Sequence, residues 1–577
     1  MKKPFLLVLT AATCAAMAAE ITVDATQNQT IQAAIEQAKP GDTVVVKPGN
    51  YPEIVTIKTS GEPGKPITLK AAKPGTALID GTGPVTGWQK VAKAEDVANA
   101  PNWNQLYFVE IPADRNYGNL GLQEDDQHAS FAQYPVPADP FYYDDPAGFK
   151  PVDPKTHTGM TITDPEIFNQ KDPNNWDGAA VIIMTTQLNH RFVRAFEPEH
   201  HRILYSQCAD GYINPAKDTY ALVNHLHLVT QPGQYVVKKD PATGKNMLYY
   251  WPRDAKNLEN EKIRRVARKN GILAPGASHL VIEGLDLRGH AGSAIAASDA
   301  SEIAVRNCHV YNAAHGDAAI SLANCHDTTI DANHVHHIQG GRGIAVTGRN
   351  DKTPTKNATI SNNRISHCGS HAIHLLSLDG GKILNNLVFD NRRAGATGVT
   401  AYAGCSNILY EGNTIMRSGA ALNMQFGNNV TIRDNYLAGN GADSGQHVTV
   451  VSHHPTLTNV AVENNIIAEA GSSLHLAVET RGWRIKNNVL YGINIWTKQL
   501  DGEVAIEDNL ITAKHDWSGR DPGYAEKNTF ETDLSKVFVD AAKGDFHRVK
   551  GGPLPQAGLL NGGRKIDLHP GAWEGRK

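Results

Sequence analysis

From His334 to Asp351 the chain reads HVHHIQGGRGIAVTGRND, which sets three histidines, two arginines and a carboxylate around an apolar Gly-Ile-Ala-Val. Groups of these kinds bind metals, clamp anionic or hydroxylated ligands, or move protons. In extended backbone His334 and His336 share one face, as two zinc-bound imidazoles would. No third ligand is evident at metal spacing, so the pair reads as a ligand-contacting surface and neither a metal nor another cofactor is expected. Calcium, bridging clustered acids and an anionic sugar, is the one ion kept open.

Two reactions suit the polar residues nearby. A pair of carboxylates about 5 Å apart, or about 6.5 to 9.5 Å apart, cleaves glycosidic bonds with retention or inversion. Asp317, Asp351 and Asp390 are the candidate catalytic acids, with Asp299 and Asp379 as further carboxylates in the same region. Asp351 follows Gly348-Arg349-Asn350 in the longest loop between repeats, where a loop can lean over a groove. His334, His336, Arg342, His371, His374, Arg393, Tyr402, Gln425, His475 and Glu479 are the candidate substrate-binding residues. The second reaction is elimination from a uronic acid polymer, which needs a neutralised carboxylate and a base for the C5 proton. Arg342 or Arg393, with His371 or Tyr402, could supply both.

Something regular must position these groups, and the chain repeats. From about Ser278 a unit recurs as VRNCHV, IDANHV, ISNNRI, YEGNTI, IRDNYL, VENNII, IKNNVL and IEDNLI. Its Asn-like position falls at Cys308, Asn333, Asn363, Asn386, Asn413, Asn435, Asn465, Asn488 and Asn509, at intervals of 21 to 30 residues, which is a solenoid period. Each unit holds short alternating β-branched runs with no helical period between them, and the Leu-x-x-Leu-x-Leu frame of leucine-rich repeats is missing. The expected fold is all-β, a right-handed parallel β-helix. Stacked asparagines then satisfy turn backbone along the axis, and neighbouring coils lie about 4.8 Å apart, so acids one or two coils apart would serve either glycosidase geometry. The position two before each Asn alternates in sign through Glu411, Arg433, Glu463, Lys486 and Glu507, which reads as cross-strand charge pairs on a solvated face.

The rest of the chain frames this solenoid. MKKPFLLVLTAATCAAMAAE has the basic start, apolar run and small-residue exit of a secretory signal, so residues 1–19 are expected to be removed and the protein to be periplasmic or secreted, without a lipid or membrane anchor. Residues 20–87, with the amphipathic NQTIQAAIEQAKPGD followed by TVVVKPGNY and PITLKAA, are expected to cap the helix and start its coils. Residues 88–267 break the repeat and read as an inserted β-rich domain. Residues 268–517 form the main helix of about ten coils, and 518–577 a C-terminal cap. Five cysteines remain after the signal, widely spaced, and read as buried free thiols. A net charge of −4 without a basic run argues against nucleic acid.

TGRNDKTPTKNATISNNRISH is similar to the loop and Asn coil of bacterial right-handed parallel β-helix glycoside hydrolases, the group holding family 120 β-xylosidases and family 141 fucosidase/xylanase-type enzymes. YALVNHLHLVTQPGQYVVKKDPATGKNMLYYWP resembles the segment that closes their inserted domain, and KPGDTVVVKPGNY with PITLKAA resembles their start. DFHRVKGGPLPQAG is similar to their usual tail. More distantly the chain resembles β-helix polysaccharide lyases. It departs from the hydrolase pattern at Ala396-Thr397-Gly398-Val399-Thr400-Ala401-Tyr402, which lacks an acid, and at Gly348-Arg349-Asn350-Asp351. The resemblance implies an exported enzyme that cleaves a plant or algal polysaccharide through paired carboxylates. Uronate elimination and non-catalytic glycan binding are the alternatives.

Overall fold

The computed structural model describes residues 18–112, 120–137, 148–184, 188–207, 214, 216–240, 242–313, 318–350, 352–391, 396–424, 427–439, 448–452, 457–468, 472–476, 481–490, 493–495, 504–512, 524–552 and 565–568. Three parallel sheets wind around one core. The first carries the strand that ends each coil's charged run, from Glu20–Val23 through Thr328–Asp331 to Ala505–Glu507. The second follows the asparagine turn, from Gly49–Tyr51 through His334–Ile338 to Thr529–Phe530. The third begins at the Gly-Ile position, from Val55–Thr56 through Arg342–Thr347 to Ile493–Ile495. Ten of the first sheet's strands, Leu280–Glu283 to Ala505–Glu507, fall within 268–517.

Alternation explains the core. Strands such as Leu280–Glu283 and Thr328–Asp331 bury every second residue, and Ile282, Val305, Ile330, Ile360 and Ile383 stack in the interior of successive coils. The asparagine column is the turn's internal scaffold. Asn413 donates through Nδ2 to the Ile383 carbonyl at 2.7 Å and to Asn435 Oδ1 at 3.0 Å, while its own Oδ1 accepts from the Asn386 backbone N–H and from Asn386 Nδ2, both at 3.0 Å. The same pattern runs from Asn333 and extends one coil past the sequence repeat, to Asn528. The residue before each column position from Asn333 to Asn509 takes a left-handed φ, as at Asn362, Asn385, Gly412 and Asn487, which is why Asn, Asp and Gly dominate there. The outward charges pair as their alternation predicts: Arg433 with Glu411 at 2.7 Å and Lys486 with Glu507 at 3.4 Å.

The short helix Ile31–Ile35 plugs the open end, burying Ile31, Ala34 and Ile35. Thr30 caps it, and the Glu53 carboxylate accepts from the Ile31 and Gln32 N–H groups at 2.9 and 3.0 Å, the charge a helix start favours. Between the early coils and Ile272–Pro275 lie a five-stranded and a seven-stranded sheet with separate cores, including the buried strand Ala180–Met184. A four-stranded sheet joins that region to the solenoid through Thr82–Pro84. The junction is held by Asp80, fully buried, which accepts from Arg288 at 2.7 Å and Arg264 at 3.1 Å. Burial alone would push its carboxyl up, but Arg288 and Thr82 hold it below the usual range. Cys308, Cys325, Cys368 and Cys405 are buried free thiols, and Cys208 lies outside the described residues. Among the described residues no helix is long and apolar enough to cross a membrane.

Candidate functional site

The outer face of the second sheet changes character along the axis. Register stacks Asp286, His309, His334, Arg364, Leu387, Thr414 and Tyr436 in one column, and Arg288, Tyr311, His336, Ser366, Phe389 and Met416 in the next. The apolar end is covered by the C-terminal segment, where Val537, Phe538, Phe546 and Ile566 pack on Phe389, Met416, Tyr436 and Ile466. The other end is approached by the inserted region, whose Asp126 ion-pairs with Arg288 and accepts through its carbonyl from Asn312 Nδ2 at 3.1 Å. The histidines lie between the two covers.

Here the structure corrects the sequence reading of His334 and His336, which found no third ligand. His309, on the preceding coil, brings its ring to 5.1 Å from His334 and 5.0 Å from His336. One ligand nitrogen from each of the three lies within 4.8 Å of the others. His337 and His367, which sequence reasoning passed over, extend the array, their rings stacked at 4.6 Å. Burial, followed by the neighbouring imidazoles, keeps His336 well below its usual range and His337 down at about 3.

His337 and His367 belong to a column of left-handed residues, Asn312, His337, His367, Asp390 and Arg417, with φ of 48° to 55°. Each is skipped by the register, as Tyr311↔His336 and Ala313↔Ile338 show, so one extra residue per coil is turned outward. This explains Asp390. Its carboxylate accepts from Arg417 Nε at 2.7 Å and Nη2 at 3.0 Å on the next coil, and Arg417 also donates to the Leu568 carbonyl at 3.0 Å. Asp390 therefore anchors the C-terminal segment, a structural place for a residue expected to be catalytic. The other described acids are engaged too: Asp299 with Asn324 and Arg349, Asp379 with Asn407.

A second cluster forms where the second sheet turns into the third. His371 Nδ1 meets the Thr397 hydroxyl at 2.9 Å and the Thr400 hydroxyl at 3.2 Å, and its Nε2 lies 3.4 Å from the Tyr402 hydroxyl. His374 stacks on His371 at 5.7 Å and sits 5.3 Å from the Tyr402 ring. Burial first, then the Arg342 charge, pulls His371 down to about 4 and His374 to about 3, so both are neutral bases in the neutral range. Arg342 and Tyr402 are half-buried, whereas His371 and His374 are buried. Four of the predicted residues thus converge. His475 is on the strand Ser472–Leu476, in register with Val451 and Asn494 on the third sheet. Asp317, Asp351, Arg393, Gln425 and Glu479 lie outside the described residues.

Comparison with known proteins places this architecture. Residues 246–415, 293–467 and 354–511 match the family model of the right handed beta helix region, and residues 25–87 match that of Chondroitinase B. No curated protein matches the chain. A solved structure described as a glycoside hydrolase is 13% identical, with 89% of this chain and 96% of that one covered at a TM-score of 0.54. A complex of XylC with xylose is 14% identical over 89% of this chain and 82% of that one, at a TM-score of 0.49. Pectate lyase Pel9A is 11% identical over 94% and 89%, at a TM-score of 0.34. The chain is a right-handed parallel β-helix protein, and it shares that fold with the solved glycoside hydrolase across nearly the whole of both chains.

Proposed function

We propose that the chain is an exported carbohydrate-active enzyme that cleaves an acidic polysaccharide by β-elimination at the corner cluster. The observation that carries this reading is the convergence of Arg342, His371 and Tyr402 at one corner of the coils. A guanidinium neutralises a uronate carboxylate and lowers the barrier to losing the C5 proton. The threonine hydroxyls fix His371 Nδ1, leaving Nε2 on the Tyr402 side to accept that proton. The Tyr402 hydroxyl then protonates the departing O4 as the C4–O4 bond breaks and the C4–C5 double bond forms.

A second reading, hydrolysis, is favoured by the fold shared with the solved glycoside hydrolase. That reading would draw its paired carboxylates from Asp317, Asp351 and Asp390, of which Asp390 is held by Arg417 and the other two lie outside the described residues. Incubation of the protein with uronic acid polymers and neutral glycans decides between them. Near-ultraviolet absorbance with new reducing ends supports elimination; reducing ends without absorbance sink it in favour of hydrolysis. Binding with neither signal would mark a glycan-binding protein.

A further inference from the structure

We propose that His309, His334 and His336 hold a divalent transition-metal ion of the zinc class, at a site separate from the corner cluster and independent of the reaction proposed there. The three side chains come from two adjacent coils, His309 paired in register with His334, and His336 two residues further along the same outward face. Strand spacing and side-chain alternation bring three imidazoles to one point with no loop needed to position them. A ligand nitrogen from each falls within 4.8 Å of the other two, and the Nε2 atoms of His309 and His336 are 2.8 Å apart. Three imidazoles are a zinc, cobalt or nickel donor set, and they leave a fourth position for water or an anionic oxygen.

The groups behind the rings strengthen the assignment. A metal-bound imidazole has its second nitrogen held by another polar group, most often a carboxylate, which fixes the tautomer. His309 turns Nδ1 toward the Asp286 carboxylate on the preceding coil, an ion-pair contact at 3.6 Å that is longer than a hydrogen bond, and turns Nε2 toward His336. His336 turns Nδ1 to His337 Nδ1 at 2.7 Å, so its Nε2 is the ligand atom. The two Nε2 atoms are in hydrogen-bond contact with each other, and an ion would replace that contact. The three residues keep only 3%, 5% and 8% of their exposure, so an ion there would be shielded from bulk water. A purely structural stack of neutral imidazoles is the competing account, and it makes the opposite prediction about metal.

The test uses the full chain, stripped with chelator and dialysed. Zinc titrated calorimetrically should bind with one equivalent at this site, and cobalt(II) should give the visible absorption of a low-coordinate imidazole complex. His336→Gln, which preserves volume and polarity, should abolish the cobalt spectrum while circular dichroism stays unchanged. Asp286→Asn leaves all three ligands in place and should weaken zinc binding about 10- to 100-fold. Arg433→Ala, a remote surface change, should leave it untouched. The proposal is overturned if the folded native protein neither takes up zinc nor colours with cobalt. It is equally overturned if uptake survives unchanged in both His336→Gln and Asp286→Asn.

Discussion

Asn413→Ala is the sharpest test of what holds the solenoid's turns. The side chain is buried, and the substitution removes four hydrogen bonds: to the Ile383 carbonyl, to Asn435 Oδ1, and from the Asn386 backbone N–H and Nδ2. At about 1 kcal/mol net for each bond the loss is about 4 kcal/mol. The Ile383 carbonyl and the Asn386 N–H are also left inside without those partners, at about 1–3 kcal/mol each, which gives a similar total when counted from the desolvated groups. A repeat array unfolds locally as well as globally, so equilibrium urea unfolding should be joined by amide hydrogen exchange across the three coils from Asn386 to Asn435. Arg433→Ala is the control. Its ion pair with Glu411 is solvent-exposed and should contribute under about 1 kcal/mol. If the two variants shift the urea midpoint equally, or exchange near Ile383 is unchanged, the asparagine column is not what stabilises the turns.

Arg342→Lys and His371→Ala should each lower turnover on the active polymer, by about 100-fold or more for His371, with the fold intact by circular dichroism; retained turnover in His371→Ala would remove it from the chemistry. His290, fully buried, is held down to about 4 by burial, with Arg268 adding to the effect and Asp80 opposing it. The unfolded chain takes up that proton below about 6.5 and the folded one only near 4, so this stability is fully present above 6.5. It falls by about 3 kcal/mol as pH drops from 6.5 to 4, and His290→Gln should flatten that slope in pH-dependent unfolding. Burial pushes the Cys308 thiol up to about 12 and Cys325 to about 11, so neither should react with a thiol reagent at neutral pH until denaturant is added. Arg417→Ala removes the bonds to Asp390 and to the Leu568 carbonyl, and should loosen the C-terminal segment by about 1–3 kcal/mol, read as faster limited proteolysis after Val549 without loss of the solenoid core.

The solenoid was legible because its rules are one-dimensional. A buried Asn at fixed spacing, β-branched alternation and a Gly-Ile start are local patterns, and register multiplies them coil by coil. Arg342 and His371 were legible for the same reason, since they hold equivalent places on successive coils, with His374 on the coil of His371 and Tyr402 on the next. Asp390 was not. The left-handed residue in the second sheet shifts one position per coil off the alternating pattern, so a residue that looks like groove lining is turned toward Arg417. The repeat places His309 on the same strand face as His334 and His336, but the closeness of the three rings comes from the pairing between adjacent coils, which spacing along the chain does not show. The covers over the second sheet were unreadable because they come from segments far away in sequence, near Asp126 and Phe538.

Those covers bear on why polar chemistry concentrates where it does. A β-helix is nearly uniform along its axis, so any site must come from a break in that uniformity. Along the outer column of the second sheet the break is at Arg364, which lies 4.6 Å over the Phe389 ring and closes the apolar patch under the C-terminal segment. On its other side the column turns to His334, His309 and Asp286 before the inserted region takes over at Arg288 and Asp126. Among the described residues the three imidazoles pack on one another and on the Tyr311 ring. Burying three imidazoles carries a desolvation cost if any one of them is charged, and that cost falls away when the rings are neutral and share a hydrogen-bond network or an ion. The placement of the histidines between the two covers is thus a property of the whole architecture, and it puts the most unusual chemistry of the chain one turn of backbone from the corner where Arg342 and His371 meet.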